Sequence, residues 1–380
     1  MTDTAAIVLA AGMGTRMKSP LPKVMHKVAG RPMISHLLET VDSLGASKKV
    51  VVIGPDMDNV AQTVAPTQCV VQKNRLGTAD AVKAADGVLR GFDGDVLVLY
   101  GDTPLITKAT LDKMIEARRN GATVVVLGFT PEDPAKYGRL IVDETGLREI
   151  VEFKDATPEQ RAVRLCNSGV MCVDGKKLFD LLDKVKNDNA AGEYYLTDLV
   201  ALARAQGDAA AVVEGGEEEL TGANSRADLA VLEKIAQKRL RAKFLEQGVT
   251  MIDPDTVYFS FDTVLGKDVF IEPNVIFETG CVVEDGVEIK GFCHFEGTRI
   301  RANAKVGPFS RLRPESDIGE NCHIGDFVEI KKSVIETGAK VNHLSYIGDA
   351  RVGEKTNIGA GTITCNYDGY FKSKTDIGAN

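Results

Sequence analysis

The sequence predicts two architectures in one chain: a Rossmann-like α/β domain with a mostly parallel sheet, and after it a left-handed parallel β-helix of hexapeptide repeats. Short β-branched strands alternate with helical stretches up to about residue 225. A single charged helical segment follows, and beyond Phe261 an aliphatic residue or Phe recurs about every six residues. We therefore expect an α/β domain at 1–225, a linker helix at 226–248 and a β-helix at 249–380.

The α/β domain is predicted from the order of its elements. The runs "AAIVLAAG", "KKVVVIG", "DVLVLYGD" and "ATVVVLGF" are short and rich in β-branched residues, as strands are. The stretches between them, "MISHLLETVDSL", "TADAVKAADGVL" and "KATLDKMIEARRNG", have helical periodicity. Strands separated by such helices form βαβ units, and ligands bind beyond the carboxyl ends of their strands.

The linker and the β-helix are predicted from two further periods. The segment "RADLAVLEKIAQKRLRAKFLEQG" places its apolar residues close to one helical stripe, and Gly248 is the expected C-cap. From Leu265 to Ile358, seventeen aliphatic or Phe positions follow one another in steps of six or, occasionally, five residues. A repeat of this length is typical of a parallel β-helix, whose inward residues stack in columns. Because the sequence ends inside a repeat, "IGAN", we expect a C-terminally shortened chain.

Composition excludes several classes of protein. The 380 residues are 44% hydrophobic and 26% charged, which is typical of a soluble globular protein. A net charge of -8 argues against nucleic acid or an anionic membrane as partner. No apolar run approaches the roughly 18 residues of a membrane span, and the start "MTDTAAIVLAAG" lacks a signal peptide's basic region. Seven scattered cysteines without a CxxC pair indicate reduced thiols, so we expect a cytoplasmic protein.

A nucleotide-binding loop is predicted where the first strand ends, in "LAAGMGTRMKSPLPK". Small residues let the backbone approach a phosphate chain: Ala10, Ala11, Gly12 and Gly14. Arg16 and Lys23 add permanent positive charge. Met17 stands where GxGxxG would need a glycine, and no GKS or GKT follows, so neither a dinucleotide site nor a P-loop is indicated. Asp102, after the strand "DVLVLYGD", is placed to hold Mg²⁺, the alternative being a helix N-cap.

These segments resemble the motifs of sugar-1-phosphate nucleotidyltransferases, in which "QKNRLGTADAV" and "LVLYGDTPLI" are similar to the base-binding and metal-binding parts. Further motifs follow in order: "YGRLI", "IVEFKDAT", "CNSGV", "GEYYLTD" and "GANSR". Together with the β-helix they resemble the bacterial bifunctional N-acetylglucosamine-1-phosphate uridyltransferase/glucosamine-1-phosphate acetyltransferase family along essentially the whole chain. That resemblance implies a cytoplasmic bacterial enzyme that supplies UDP-N-acetylglucosamine for peptidoglycan and lipopolysaccharide.

For the α/β domain, the resemblance implies Mg²⁺-dependent uridyl transfer from UTP to N-acetylglucosamine 1-phosphate. Arg16 and Lys23 would bind the phosphates, and Asp102 and Asn224 would hold Mg²⁺. The nucleotide and sugar would contact Leu9, Ala10, Ala11, Gly12, Gln72, Gly77, Thr78, Tyr100, Gly101, Gly138, Glu152 and Asn167, with Thr197 as a further candidate. The attacking phosphate is already anionic, so we expect no general base here and interpret His26 and His36 as surface or helix-packing residues.

For the β-helix, the resemblance implies acetyl transfer from acetyl-CoA to glucosamine 1-phosphate within a homotrimer. Register places Val341, Ser345 and Ile347 inward and His343 on an outer face or edge. A histidine has a pKa suited to take the proton of an attacking amine, and the resemblance assigns that role to His343. It places Arg313, Lys331, Tyr346 and Asn357 on the sugar phosphate, and Ala360, Asn366 and Tyr367 on the acetyl-CoA side. A shortened β-helix puts this second activity in doubt.

Two alternatives remain open at the level of sequence. One is a glucose-1-phosphate adenylyl- or thymidylyltransferase whose β-helix is regulatory or structural. The polar cluster from His343 to Tyr346, together with Asn366 and Tyr367, counts against it because a structural tail would not need those residues. The other is a non-catalytic trimeric scaffold with a vestigial nucleotide site, against which the intact set of Arg16, Lys23, Asp102 and Asn224 counts.

Overall fold

The computed structural model describes residues 3–134, 137–189 and 191–380. Its contacts separate two compact units, one of residues up to 28 together with 32–232, the other of 29–31 and 233–380. Within the described residues, no helix combines the length and hydrophobicity that a membrane crossing requires.

The first eleven strands are β1 Asp3–Leu9, β2 Lys27–Val28, β3 Arg31–Pro32, β4 Lys48–Ile53, β5 Gln68–Val71, β6 Gly94–Tyr100, β7 Val124–Phe129, β8 Arg139–Asp143, β9 Gly146–Val151, β10 Cys166–Asp174 and β11 Ala210–Glu214. The helices are α1 Met33–Ser43, α2 Asp58–Val64, α3 Thr78–Lys83, α4 Asp86–Leu89, α5 Lys108–Arg119, α6 Pro158–Ala162, α7 Gly175–Leu182, α8 Asp198–Ala205, α9 Glu217–Leu220 and α10 Arg226–Glu246. The stretch expected to form one helix over 78–89 is thus two short helices, α3 and α4.

The first unit is a mixed, mostly parallel sheet in the order β11-β7-β10-β6-β1-β4-β5, with the hairpin β8–β9 joined through β10. Strand β1 lies between β4 and β6 and is parallel to both. Strand β10 runs antiparallel to β6 and β7, an insertion that the strand-helix alternation did not predict. The carboxyl ends of β1 and β6 therefore meet at one edge, where the predicted phosphate loop and Asp102 follow.

The two faces of this sheet are covered by separate apolar clusters. Alternate residues of β1 point to opposite faces, so Ile7 packs in one cluster and Val8 in the other, both fully buried. A strand buried on both faces reads as a continuous apolar run, which is why "AAIVL" shows no polar alternation. This packing fixes the strand ends that carry the site.

The second unit contains nineteen short strands, β12 to β30, among its described residues. Their bounds are β12 Thr250–Met251, β13 Val264–Leu265, β14 Phe270–Ile271, β15 Ile276–Phe277, β16 Val282–Val283, β17 Glu288–Ile289, β18 His294–Phe295, β19 Thr298–Ile300, β20 Lys305–Val306, β21 Arg311–Leu312, β22 Ser316–Ile318, β23 His323–Asp326, β24 Glu329–Lys331, β25 Val334–Ile335, β26 Lys340–His343, β27 Tyr346–Gly348, β28 Ala350–Val352, β29 Asn357–Ile358 and β30 Thr375–Ile377. They form three parallel sheets in which each strand pairs with the third strand along the chain, apart from the end pairs β12–β14 and β28–β30, the arrangement of the predicted left-handed β-helix.

The predicted register is confirmed by burial. Every one of the seventeen inward positions from Leu265 to Ile358 is buried. Partners on successive coils are 18 residues apart, as for Val264 and Val282, or 17 apart where a five-residue step occurs, as for Val282 and Arg299. Stacked coils thus bury one continuous apolar column.

The corners of the β-helix use left-handed backbone, a feature that the periodicity did not reveal. The corner residue has positive φ three places after an inward residue, as at Asn274 and Asn321, with φ of 61° and 58°. In the five-residue steps the same conformation comes one place earlier, as at Lys332 and Asp349. The short step therefore omits one residue before the corner and leaves the turn itself intact.

Candidate functional site

The first unit has a cleft of about 220 Å³ at the carboxyl ends of β1 and β6. Its lining contains most of the residues predicted to hold the nucleotide: Leu9, Ala10, Ala11, Gly12, Lys23, Val24, Gln72, Gly77, Thr78, Ala81, Tyr100 and Asp102. Val24 and Ala81 were not predicted, since an apolar side chain carries no chemical signal in the sequence. The cleft brings together segments that are up to about 90 residues apart in the chain.

Four polar side chains converge beside this cleft. The Lys23 ammonium donates to Oδ2 of Asp102 at 2.5 Å and to Oδ1 of Asn224 at 3.1 Å. Arg16 donates from Nη2 to the same Asn224 oxygen at 2.9 Å. The Lys23 and Asp102 side chains are only 18% and 14% exposed, so their ion pair is partly shielded from water. The structure thus assembles the complete set predicted for phosphates and metal.

Two close approaches shape the loop. Gly14 has φ of 70°, and a Cβ there would lie 2.6 Å from Cβ of Lys23. Gly101 donates its N–H to the Leu9 carbonyl at 2.9 Å, and a Cβ on it would lie 2.9 Å from Cγ1 of Val24. Glycine is therefore required at both positions so that Lys23 and Asp102 can come together.

The predicted base-binding residues are tied to a distant segment by main-chain contacts. Gln72 is buried and donates from Nε2 to the Gly77 carbonyl at 3.0 Å. Gly77 has φ of 126°, and a Cβ there would meet the Tyr194 carbonyl at 2.5 Å. Thr78 Oγ1 accepts from the Leu196 N–H at 3.0 Å. The motif "GEYYLTD" therefore holds the base-binding loop in place.

Glu152 stands at the predicted sugar side of the cleft. Burial, and then the nearby charge of Asp155, raise the pKa of Glu152, while a hydrogen bond from Thr197 acts in the opposite direction. A Cβ on Gly138 would lie 3.5 Å from both Glu152 carboxylate oxygens, an ordinary contact. Gly138, Glu152 and Thr197 are thereby neighbours, as the sugar-binding prediction requires.

Tyr100 and Asn167 belong to the same region. Burial, together with the charges of Asp102 and Glu152, raises the pKa of the Tyr100 phenol. Its ring lies over Gly169, where a Cβ would be 2.8 Å from Cε2 of Tyr100. Asn167 is buried and its Oδ1 accepts from the Gly169 N–H at 2.8 Å. The glycine of "CNSGV" therefore makes room for the tyrosine ring.

The donor set beside the cleft fits Mg²⁺. An Asp carboxylate and an Asn carbonyl are hard oxygen ligands, and both lie within hydrogen-bonding distance of one cationic nitrogen of Lys23. Mg²⁺ that bridges substrate phosphates needs only one or two protein carboxylates, because phosphates and water complete its octahedron. The described residues contain no cluster of three or more His, Cys, Asp or Glu side chains suited to a metal.

In the second unit, His343 ends β26 and Asp326 ends β23 on the preceding coil. The two residues pair in the parallel register, and Nδ1 of His343 lies 2.9 Å from Oδ1 of Asp326. A carboxylate only accepts, so in the neutral imidazole Nδ1 carries the proton and Nε2 keeps its lone pair. The histidine side chain is 60% exposed. The sequence reasoning missed Asp326, although its place 17 residues before His343 matches one coil with a five-residue step.

Three of the remaining predicted residues of this unit, Arg313, Tyr346 and Asn366, have described polar contacts to neighbouring coils. Tyr346 and Asn366 are connected: Nδ2 of Asn366 donates to Oδ2 of Asp349 at 2.5 Å and lies 3.5 Å from the Tyr346 hydroxyl. Arg313 donates to Oε1 of Glu329 at 2.9 Å, and Glu329 pairs with Tyr346 in register.

The other predicted residues of the β-helix lie on nearby coils, and none of their described contacts is with His343. Lys331 pairs with Gly348 beside Tyr346. Asn357 is on the same sheet as His343, one coil beyond Lys340. Ala360 and Tyr367 are exposed, and the Tyr367 hydroxyl donates to the Gly369 carbonyl at 2.7 Å.

Comparison with known proteins supports both halves. Residues 6–189 match the family model of the MobA-like NTP transferase domain, and residues 298–367 match that of the GMPPB C-terminal domain. The bifunctional protein GlmU of Paramagnetospirillum magneticum is 61% identical over 99% of this chain and 84% of its own length. That of Rhodospirillum rubrum is 62% identical over 100% and 85%, and that of Roseobacter denitrificans 51% identical over 99% and 84%. With more than half of its residues identical to relatives matched along nearly its whole length, the chain belongs to the bifunctional GlmU family.

Proposed function

We propose that the cleft of the first unit transfers uridyl from UTP to N-acetylglucosamine 1-phosphate with Mg²⁺, and that the His343 region transfers acetyl from acetyl-CoA to glucosamine 1-phosphate. The chain is a bifunctional transferase that synthesises UDP-N-acetylglucosamine, and this product is a precursor of peptidoglycan and lipopolysaccharide. We assign uridyl transfer to residues 1–225, acetyl transfer to 249–380 and a linking role to 226–248. We further propose a cytoplasmic homotrimer formed through the β-helix.

The observation that carries uridyl transfer is the meeting of Arg16, Lys23, Asp102 and Asn224 at one cleft edge. The sugar phosphate oxygen attacks the α-phosphorus of UTP in line, and pyrophosphate leaves. Arg16 and Lys23 stabilise the charge that develops on the leaving pyrophosphate. Asp102 and Asn224 would hold Mg²⁺, which when bound would supply further charge neutralisation on the phosphates. No general base is needed because the attacking phosphate is already anionic.

Substrate orientation falls to the residues around the cleft. Ala10, Ala11 and Gly12 line the nucleotide side of the cleft. The Ala10 N–H already donates to the Val52 carbonyl at 2.8 Å, so we assign the donors toward a nucleotide to the N–H groups of Ala11 and Gly12. Gln72 with Thr78 holds the uracil side. The half-buried Glu152 accepts hydrogen bonds from the sugar, and the buried Asn167 can both accept from and donate to its hydroxyl and acetamido groups. Such sites discriminate through polar partners that an incorrect sugar leaves unpaired.

Acetyl transfer is supported by the His343–Asp326 pair. With Nδ1–H held by Asp326, Nε2 is the acceptor that removes the proton as the glucosamine amine attacks the thioester carbonyl. The amide C–N bond forms, the C–S bond breaks, and coenzyme A leaves as its thiolate. Arg313 and Lys331 supply positive charge for the sugar phosphate, and Tyr346 and Asn357 supply polar contacts. Ala360, Asn366 and Tyr367 form the acetyl-CoA side.

One experiment tests the main assignment. The protein is incubated with UTP, Mg²⁺ and either N-acetylglucosamine 1-phosphate or glucose 1-phosphate, and pyrophosphate release is followed. We expect faster turnover of the N-acetylated sugar. Equal or greater turnover of glucose 1-phosphate would favour a glucose-1-phosphate nucleotidyltransferase and refute the assignment.

A further inference from the structure

Arg226, the first residue of α10, contacts the two segments that carry the cationic side chains of the cleft. Its Nε donates to the Met17 carbonyl at 3.2 Å, and its Nη1 lies 3.3 Å from Nδ1 of His26. Met17 directly follows Arg16 in the loop, and the His26 N–H donates to the Lys23 carbonyl at 3.3 Å. One guanidinium thus joins both segments to the start of the helix.

The same helix start fixes Asn224. Oδ2 of Asp228 accepts from the N–H groups of Asn224 and Ser225, both at 2.9 Å. The Asp228 N–H in turn donates to Ser225 Oγ at 3.2 Å, which completes a capping box. Asn224 and Arg226 therefore flank one rigid turn, so a displacement of Arg226 is transmitted to the proposed metal ligand.

His26 is arranged as an acceptor. The ring is only 5% exposed, and a nitrogen that faces a guanidinium must offer its lone pair. The proton therefore resides on Nε2, which is buried and has no hydrogen-bond partner in the part of the chain that the structure describes. Burial, and then the charge of Arg226, lower the pKa of His26, so the ring stays neutral at neutral pH. An unpaired buried N–H lowers the stability of the fold. We infer that this tautomer is kept because the contact of Nδ1 with Arg226 has a functional role.

The direct bonds among Lys23, Asp102 and Asn224 cannot by themselves keep this cluster in place. Substrate phosphates and metal would take over those same oxygen and nitrogen atoms on binding. The contacts of Arg226 are to a main-chain carbonyl and a buried ring, which no ligand displaces. We propose that Arg226 and His26 are positioning residues that hold Arg16, Lys23 and Asn224 in register for uridyl transfer, an inference that rests on the function proposed above.

The test compares variants in the pyrophosphate assay, with kcat, KM for UTP and the Mg²⁺ concentration for half-maximal rate measured separately. Arg226→Ala and His26→Phe are each expected to lower kcat/KM for UTP by about tenfold to a hundredfold, since small misplacements of catalytic groups have effects of this size. Both should also raise the Mg²⁺ requirement. The double variant should be no worse than Arg226→Ala alone, because that substitution already removes the contact with His26. His26→Asn, which keeps an acceptor near Nδ1, should stay within about threefold of the unmodified protein.

Arg90→Ala is the matched control, because that guanidinium pairs with Asp86 and Asp183 and has no described contact to the site. It should reduce thermal stability without changing KM for UTP. Additive losses in the double variant, or equal damage from His26→Asn and His26→Phe, would overturn the inference. So would unchanged kinetics in Arg226→Ala while the unmodified chain is active. If the unmodified chain releases no pyrophosphate, the proposed function fails and the inference is tested separately. The double-mutant cycle of Arg226→Ala and His26→Phe is then measured by thermal unfolding. Zero coupling energy between the two residues would overturn the inference.

Discussion

The substitution Gly14→Ala tests how the loop geometry supports uridyl transfer. Gly14 adopts φ of 70°, and an added Cβ would stand 2.6 Å from Cβ, 3.2 Å from Cγ and 3.3 Å from Cδ of Lys23. These atoms are at the base of the lysine side chain, so rotation of its tip does not relieve the contact. The Lys23 segment has to move instead.

The size of the effect follows from these distances. An ordinary contact begins near 3.4 Å, so Lys23 must shift by about 1 Å. A displacement of that size at a catalytic group costs on the order of 10²-fold in rate. The left-handed backbone adds a loss of about 1–2 kcal/mol of stability for a residue with a Cβ.

Gly45→Ala separates the effect of displacing Lys23 from the effect of backbone strain. Gly45 has the same φ of 70°, but an added Cβ there meets no atom within 4 Å. In the pyrophosphate assay with UTP, Mg²⁺ and N-acetylglucosamine 1-phosphate, Gly45→Ala should keep its rate while losing similar stability. Gly14→Ala should lose about 10²-fold in kcat/KM. A loss below about threefold for Gly14→Ala, or equal losses for both variants, would refute the reasoning.

Three further predictions concern charged groups. Glu152→Gln should raise the melting temperature at pH 8 but not at pH 4: a raised folded-state pKa stabilises the fold below the ordinary Glu range, and this contribution is lost as pH rises through that pKa. A difference in melting temperature between Glu152→Gln and the unmodified protein that is the same at pH 4 and pH 8 would contradict the burial effect on Glu152. Asp102→Asn should raise the Mg²⁺ concentration needed for half-maximal uridyl transfer, because an amide lacks the carboxylate charge; an unchanged Mg²⁺ titration would remove Asp102 from the metal site. His343→Ala, in a form as long as the curated relatives, should lower acetyl transfer by about 10²–10⁴-fold and leave uridyl transfer intact, with a smaller loss for Asp326→Asn. Loss of both activities would mean that His343 is structural.

Much of the fold could be predicted because its signals are local. Strand-helix alternation indicated the α/β unit, and the six-residue period placed each inward residue of the β-helix, including Val341 and Ile347. Such periods arise because residues close in sequence share one face of a strand or helix. The phosphate loop was predictable for a similar reason, since Gly12, Arg16 and Lys23 lie within one short segment.

Other features could not be predicted from neighbouring residues. The antiparallel strand β10 lies between β6 and β7 because of pairings with residues distant in the chain. Asp228 had a local signal, the Ser-x-x-Asp capping box, but its bond to the Asn224 N–H becomes meaningful only beside Lys23. Asp326 had a weaker signal, the spacing of one coil from His343.

The sequence by itself determined that this chain joins an α/β nucleotide-binding unit to a β-helix, and its residue types indicated roles for Arg16, Lys23 and Asp102. The roles of Asn224 and His343 were implied by its resemblance to a known family. Only the tertiary structure decided which of these atoms meet. The bond of Lys23 to Asn224 spans 201 positions, and that of His343 to Asp326 spans 17. Contacts of this kind depend on how strands order and coils stack. That arrangement is set by burial of the whole apolar core, and no single segment encodes it.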